Sequence, residues 1–296
     1  MKKIKHKHLK INKKTPAEPL FPEPWRNVPW GKEDLQEVKK QLNEMKIPHL
    51  RVLVYGPVGS GKSSFINSVS SIFRNRICSP ALANANNDEN SFTKKYKTIR
   101  IQVDNSENSP SLLFNDIMGL EDGTKRGVSV EDVKLVLEGH MKDDYKFNPV
   151  SPLSTDDPHY NPTPSEEDKV HVLVWVCSAN SAESNDSVAK KMRDIRETAS
   201  DKGIPQFAVL TKIDEACAET EKDLKNVYRS KCVKEKMTHF SSTFGIPLNC
   251  TFPVKNYSDE IELENDVDCL ILSILKKIIH FGSDFISDTV QEQKTE

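Results

Sequence analysis

One octet near the start of the chain, Gly56-Pro57-Val58-Gly59-Ser60-Gly61-Lys62-Ser63, restricts its fold more than any other feature. It follows the apolar run 50–55 and precedes Ser64-Phe65-Ile66-Asn67, where helical spacing begins. G-x-x-x-x-G-K-[ST] between a strand and a helix is the pattern of a phosphate-binding loop. Glycines let backbone N–H groups converge on phosphate oxygens, and the helix N-terminus adds partial positive charge. On this reading Gly56, Gly59, Ser60, Gly61, Lys62, Ser63 and Ser64 contact a nucleotide. Lys62 acts as the catalytic cation on the β- and γ-phosphates, and Ser63 ligates Mg²⁺. The chain has only 11 glycines in 296 residues, yet three fall within positions 56–61.

Further apolar runs predict strands at 98–103, 111–115, 170–177, 206–210 and 249–254. They are rich in Val, Leu, Ile and Phe without strict alternation, as in a sheet buried on both faces. Helical spacing lies between them. Leu35, Val38 and Leu42 recur within 32–46, and Val188, Met192, Ile195 and Ala199 follow later. The last helix carries Val267, Leu270, Ile271, Ile274, Leu275 and Ile278, with Gly282 read as its C-terminal stop. This alternation predicts an α/β fold, a doubly wound and mostly parallel sheet flanked by helices, of the P-loop, GTPase-like kind. The expected organisation is a basic, Pro-rich and largely disordered arm over 1–30, a GTPase-like domain over 31–283, and a C-terminal tail over 284–296. Trp25 and Trp30 are expected to tuck the arm against the domain. Residues 120–168, an acidic helical stretch followed by five prolines between 149 and 164, read as an insertion.

Charge is laid out unevenly. The net charge is −2, but residues 1–14 carry Lys2, Lys3, Lys5, Lys7, Lys10, Lys13 and Lys14 and no acid. The remainder is therefore an acidic body at −9, which argues against a specific nucleic-acid binder. The lysine run suits weak contact with an anionic membrane. The longest apolar stretch has eight residues and includes His171, against about 18 for a membrane span. The six cysteines show no CxxC or Cys/His cluster, so neither zinc nor a disulfide framework is expected, and a reducing cytoplasm is the default compartment.

Two downstream motifs concern the metal and the base. Asp116-Ile117-Met118-Gly119 is a DxxG at the end of a predicted strand. Asp116 would hold Mg²⁺ through water, and Gly119 would offer its N–H to the γ-phosphate. Thr211-Lys212-Ile213-Asp214 stands where GTPases carry NKxD. The Asp214 carboxylate can accept two hydrogen bonds from guanine, and the Lys212 stem can cover the ring. Thr211 replaces the Asn, so one amide bracing the phosphate loop is lost; the same TKxD variant occurs in large dynamin-like GTPases. Asn256, in Pro253-Val254-Lys255-Asn256-Tyr257-Ser258, sits where a loop would pass behind the guanine. Of two switch threonines, Thr93 and Thr98, Thr93 is preferred as a metal and catalytic group, because it lies in the polar segment 84–95. Ras-type enzymes orient water with a Gln directly after DxxG. Here that residue is Leu120, so hydrolysis is expected to be slow. The residues leave open a non-hydrolysing, nucleotide-stabilised interaction module, or an ATP-binding P-loop protein. A protein partner is expected without being identified, and a homodimer is compatible with the sequence.

The chain resembles the interferon-induced protein 44 and 44-like family. The resemblance rests on Pro24-Trp25-Arg26 with Trp30, on residues 51–69 around the phosphate loop, and on Met118-Gly119-Leu120. It continues through Leu137-Glu138-Gly139-His140, Tyr145-Lys146-Phe147-Asn148-Pro149, Leu210-Thr211-Lys212-Ile213-Asp214 and Asn256-Tyr257-Ser258. It implies a cytoplasmic GTPase-like domain with GTP or GDP and Mg²⁺ as ligands, interferon-inducible expression, and a role in antiviral or antiproliferative responses. Longer members of that family carry an N-terminal TLDc-type domain, whereas about 30 residues stand before the first helical stretch here.

Overall fold

A computed structural model describes residues 19–31, 33–44, 48–81, 94–102, 110–123, 126–180 and 186–292. In chain order the elements are α1 (Glu33–Asn43), β1 (His49–Tyr55), α2 (Lys62–Arg74), β2 (Lys97–Gln102), β3 (Ser111–Asp116) and α3 (Val130–Leu137). They continue as β4 (Val172–Ser178), α4 (Asp186–Asp201), β5 (Gln206–Thr211), the short α5 (Ile213–Ala216) and α6 (Ala218–Lys222), α7 (Lys231–Phe244), β6 (Thr251–Pro253) and α8 (Asn265–Glu292).

The strands form one sheet in the order β2-β3-β1-β4-β5-β6, parallel except for the antiparallel β2–β3 pair. Successive side chains of a strand point to opposite faces. Leu53 and Tyr55 of β1 accordingly join a core with Val133 of α3, Met192 and Ile195 of α4, and Met237 and Phe240 of α7. Leu50, Val52 and Val54 face the other way, onto Val38 of α1, Phe65 of α2, and Ile271, Ile274 and Ile278 of α8. Both faces are covered, which explains the continuous rather than alternating apolar runs. Among the described residues no helix is long and apolar enough to cross a membrane.

Three local outcomes differ from the sequence reading. Gly282 does not end the last helix: α8 runs through it to Glu292. A Cβ there would lie 2.6 Å from Leu50 Cδ1 and 2.8 Å from Val172 Cγ2, so the glycine lets the helix press onto the sheet. Phe285 and Ile286, beyond the expected boundary at 283, still pack on the core. Cys217 and Cys232 form a disulfide although their 15-residue separation gave no pairing signal. The turn between α5 and α6 comes back beside the first turn of α7, bringing their Cα atoms to 6.2 Å. The segment 249–254 supplies only a three-residue strand, because residues 248–250 take a 3-10 turn.

In the arm, Trp25 packs edge-on to Tyr228 with ring centroids 5.0 Å apart. Arg26 donates to Leu248 O at 2.7 Å and Thr251 O at 2.9 Å. The lysines of residues 2–14 lie outside the described residues. Within 120–168, α3 is capped by the Ser129 side chain accepting from Asp132 N. Tyr145, Phe147 and Leu153 are buried in the same core.

Candidate nucleotide site

The phosphate loop leaves the C-terminal end of β1 and enters α2 through Gly61, the helix N-cap, held in the left-handed region at φ +89°. Lys62 is buried, and its Nζ donates to Gly56 O at 3.1 Å and Pro57 O at 2.9 Å, within its own loop. Burial pushes the Lys62 ammonium down to about 8, against the pull of Asp116. An anion placed between Lys62 and the loop amides would relieve that strain on the charge. Ser60 is buried, and Ser64, in the first turn of α2, gives its carbonyl to Ser68 Oγ at 2.8 Å.

The DxxG follows directly on the neighbouring strand. β1 and β3 are parallel with Val54 opposite Asp116, so the end of β3 falls beside the loop. Ser63 Oγ donates to Asp116 Oδ2 at 2.8 Å. These hard oxygen donors, one hydroxyl and one carboxylate, fit a small divalent cation such as Mg²⁺. Beyond Asp116 the chain lies on the phosphate loop: Val58 N donates to Leu120 O at 3.1 Å and Leu120 N to Gly56 O at 3.0 Å. A Cβ on Gly119 would sit 2.7 Å from Val58 Cγ2 and 2.9 Å from its Cα, so only glycine allows this approach. The Leu120 side chain is buried in the core on the α3–α4–α7 face.

The base motif arrives on β5. Thr211 is buried, and its hydroxyl donates to Ser60 O at 2.7 Å. Lys212 takes a left-handed conformation at φ +59°, with Nζ 4.0 Å from Glu215. Asp214, in α5, lines a cavity of about 430 Å³ together with Glu215, Glu221, Lys255, Glu264 and Asp266. Lys255 and Lys222 line the same cavity, and Lys255 lies 2.7 Å from Glu260 and 3.8 Å from Glu264. Burial opposes its charge, but the hydrogen bond and charge of Glu260 outweigh that and lift its pKa. Asn256 Nδ2 donates to Gly61 O at 3.2 Å. The structure thus brings Ser63 to Asp116, Thr211 to Ser60 and Asn256 to Gly61, while Asp214 lines the cavity and Lys212 lies against Glu215.

Thr98 is engaged elsewhere. Its hydroxyl contacts Asp143 Oδ1 at 2.6 Å and accepts from Asn115 Nδ2 at 3.0 Å. The preferred switch residue Thr93 lies outside the described residues. Cys177, whose carbonyl also meets Thr211 Oγ1 at 3.3 Å, is buried, and burial pushes its thiol up to about 12.

One residue of this site gave no sequence signal. Lys191 of α4 donates to three carbonyls of the post-DxxG loop, Glu121 at 2.9 Å, Gly123 at 2.8 Å and Arg126 at 3.1 Å. Ser187, one turn earlier, accepts from Gly123 N at 3.3 Å and bonds Asp122. A lysine on a charged helix face reads as solvated. Its partners here are backbone carbonyls more than 60 residues away, which no motif encodes.

No protein-family model matches the chain. Interferon-induced protein 44 of Mus musculus is 34% identical over 243 residues, 82% of this chain and 57% of that protein. Interferon-induced protein 44-like of Homo sapiens is 30% identical over 248 residues, 83% of this chain and 54% of that protein. Interferon-induced protein 44 of Homo sapiens is 31% identical over 83% of this chain and 55% of its own length. The chain spans about half the length of the curated relatives it matches. Among solved structures it is similar in fold to Toc33 from Arabidopsis thaliana. The complex with Mg²⁺ and GMPPNP aligns with a TM-score of 0.51 and 16% identity, covering 86% of this chain and 92% of that one. A dimerization-deficient mutant of the same protein aligns at 0.52 and 14% over the same shares.

Proposed function

Because the chain belongs to the interferon-induced protein 44 and 44-like family and carries a P-loop, GTPase-like fold, we propose that it binds GTP and GDP with Mg²⁺ and hydrolyses GTP slowly. The observation that carries this reading is the meeting of two further motifs on the phosphate loop: the DxxG stretch through Asp116 on Ser63 and Leu120 on Gly56 and Val58, and TKxD through Thr211 on Ser60. In this proposal the amides of residues 59–64 and Lys62 grip the phosphates, and Gly119 senses the γ-phosphate. Ser63 and Asp116 hold Mg²⁺, which when bound neutralises phosphate charge. Lys212 covers the base, and Asp214 accepts from guanine N1 and N2. Thr93 completes the metal shell. The protein acts in the cytoplasm as an interferon-inducible antiviral or antiproliferative factor that engages a protein partner.

A second reading has its own support. The Leu120 side chain is buried in the core, where it can orient no attacking water, so the protein could bind nucleotide as a scaffold without turnover. Titration with fluorescent GTP and ATP tests the base assignment. Wild type should prefer GTP, Lys62→Ala should lose binding, and Asp214→Asn should lose the preference. Equal affinity of wild type for both nucleotides would overturn it. Multiple-turnover hydrolysis separates enzyme from scaffold, since equal rates for wild type and Lys62→Ala exclude catalysis.

A further inference from the structure

The loop after β6 does two things with adjacent residues. Lys255 faces the Asp214 cavity, while Asn256 turns to the phosphate loop and donates to Gly61 O at 3.2 Å. Tyr257 then anchors the loop on the same helix, its N–H donating to Ser68 Oγ at 2.9 Å. Gly61 and Ser68 are seven residues apart, two turns along one face of α2. At the far end Tyr257 OH donates to Asp268 Oδ1 at 2.6 Å and accepts from Glu264 N at 2.8 Å. The loop is therefore tied at both ends.

Thr211 and Asn256 approach the phosphate loop together. A Cβ built on Gly61 would lie 2.9 Å from Asn256 Nδ2 and 3.4 Å from Thr211 Oγ1, so the two polar groups flank one residue. In a trans peptide the C=O and the following N–H point in opposite directions. Holding Ser60 O on Thr211 turns the Gly61 N–H away from β5, and holding Gly61 O turns the Lys62 N–H away from Asn256. Gly61 O also accepts the first α2 bond, from Phe65 N at 2.8 Å, so Asn256 takes its second lone pair. A hydroxyl has a single proton to give. Thr211 spends it on Ser60, and Gly61 would lack a side-chain brace without Asn256.

We propose that Asn256 is a positioning residue: with Thr211 it forms a split brace that aims the Gly61 and Lys62 amides of the phosphate loop at the nucleotide. The amide missing from position 211 is thereby supplied from the loop after β6, next to the residue facing the base cavity. This proposal rests on the nucleotide-binding reading above and assigns the group that makes TKxD workable in this chain.

The test is the affinity of fluorescent GDP for wild type, Asn256→Ala, Asn256→Asp, Thr211→Asn/Asn256→Ala and Lys62→Ala, with thermal unfolding of each checked. Asn256→Asp keeps the shape but removes the donor, and serves should Asn256→Ala fail to fold. Asn256→Ala should bind roughly three- to tenfold more weakly, the worth of one neutral hydrogen bond, and Asn256→Asp, which sets a carboxylate against the Gly61 carbonyl, at least as weakly. The double variant, which restores an amide from position 211, should return to within about twofold of wild type. Wild-type affinity in both single variants, with Lys62→Ala inactive, would overturn the brace and leave the nucleotide reading standing. So would failure of Thr211→Asn to rescue, since the loss would then reflect general loosening. Lys62-independent binding of GDP by wild type would overturn the nucleotide reading itself and the brace with it.

Discussion

Replacing Lys191 with Met keeps the aliphatic stem and deletes the ammonium that draws the carbonyls of Glu121, Gly123 and Arg126 together. Two of those three bonds are at the surface, where water takes over a lost donor, so each is valued at the lower end, about 0.5 kcal/mol. The sum, about 1.5 kcal/mol, makes opening of the loop roughly tenfold more frequent. The opening should be local, because the core beneath it is untouched. Three amides report on it: Val58 to Leu120 O, Leu120 to Gly56 O, and Val128 to Gly119 O. Hydrogen–deuterium exchange should speed up about tenfold at Leu120 and Val128 in Lys191→Met, with β4 and α8 unchanged. Exchange at those amides within about twofold of wild type would refute the view that Lys191 holds this loop down.

Other consequences concern stability. His171 is buried, accepting from Arg51 N at 3.0 Å on Nδ1 with Nε2 3.2 Å from Glu166 O, and burial drops its pKa to about 4. The unfolded chain takes up a proton near pH 6.5 while the folded one resists, so stability is full above that pH and lost as pH falls toward 4. That amounts to about 2 kcal/mol by pH 5, and urea unfolding should show His171→Gln losing correspondingly less between pH 7 and 5; identical losses would contradict it. Reducing the Cys217–Cys232 bond, which closes a 15-residue separation, should cost about 3 kcal/mol and lower Tm by roughly 6–12 °C. The same Tm with and without reductant would remove that bond from the account of stability.

The parts legible in the sequence are those whose signal is local. Each apolar run from 50–55 to 206–210 overlaps a strand, because a sheet buried on both faces leaves continuous Val, Leu and Phe. The phosphate loop was equally legible, since its glycines, lysine and serine answer to one local geometry. What failed depended on distant partners. Gly282 has the local appearance of a helix stop, yet Leu50 and Val172 decide its role. Thr98, the switch threonine not preferred in the sequence, is held by Asp143 from within the insertion, 45 positions away. The amide lost at Thr211 returned from Asn256, 45 positions further along, and no spacing rule links the two.

The segment Tyr145-Lys146-Phe147 and the arm residue Arg26 have a shared consequence. An unpaired sheet edge invites strand addition by another chain. At the β2 end, Tyr96 N donates to Tyr145 O at 2.8 Å, Phe147 N to Lys94 O at 3.1 Å, and Asp143 takes the N–H of Thr98. At the opposite end, β6 is three residues long, and the Arg26 guanidinium already occupies the carbonyls of Leu248 and Thr251. The start of β2 and the β6 margin are thus each met by the protein's own side chains and backbone. Removing Arg26 would free the carbonyls of Leu248 and Thr251, giving another chain two acceptors at this short margin.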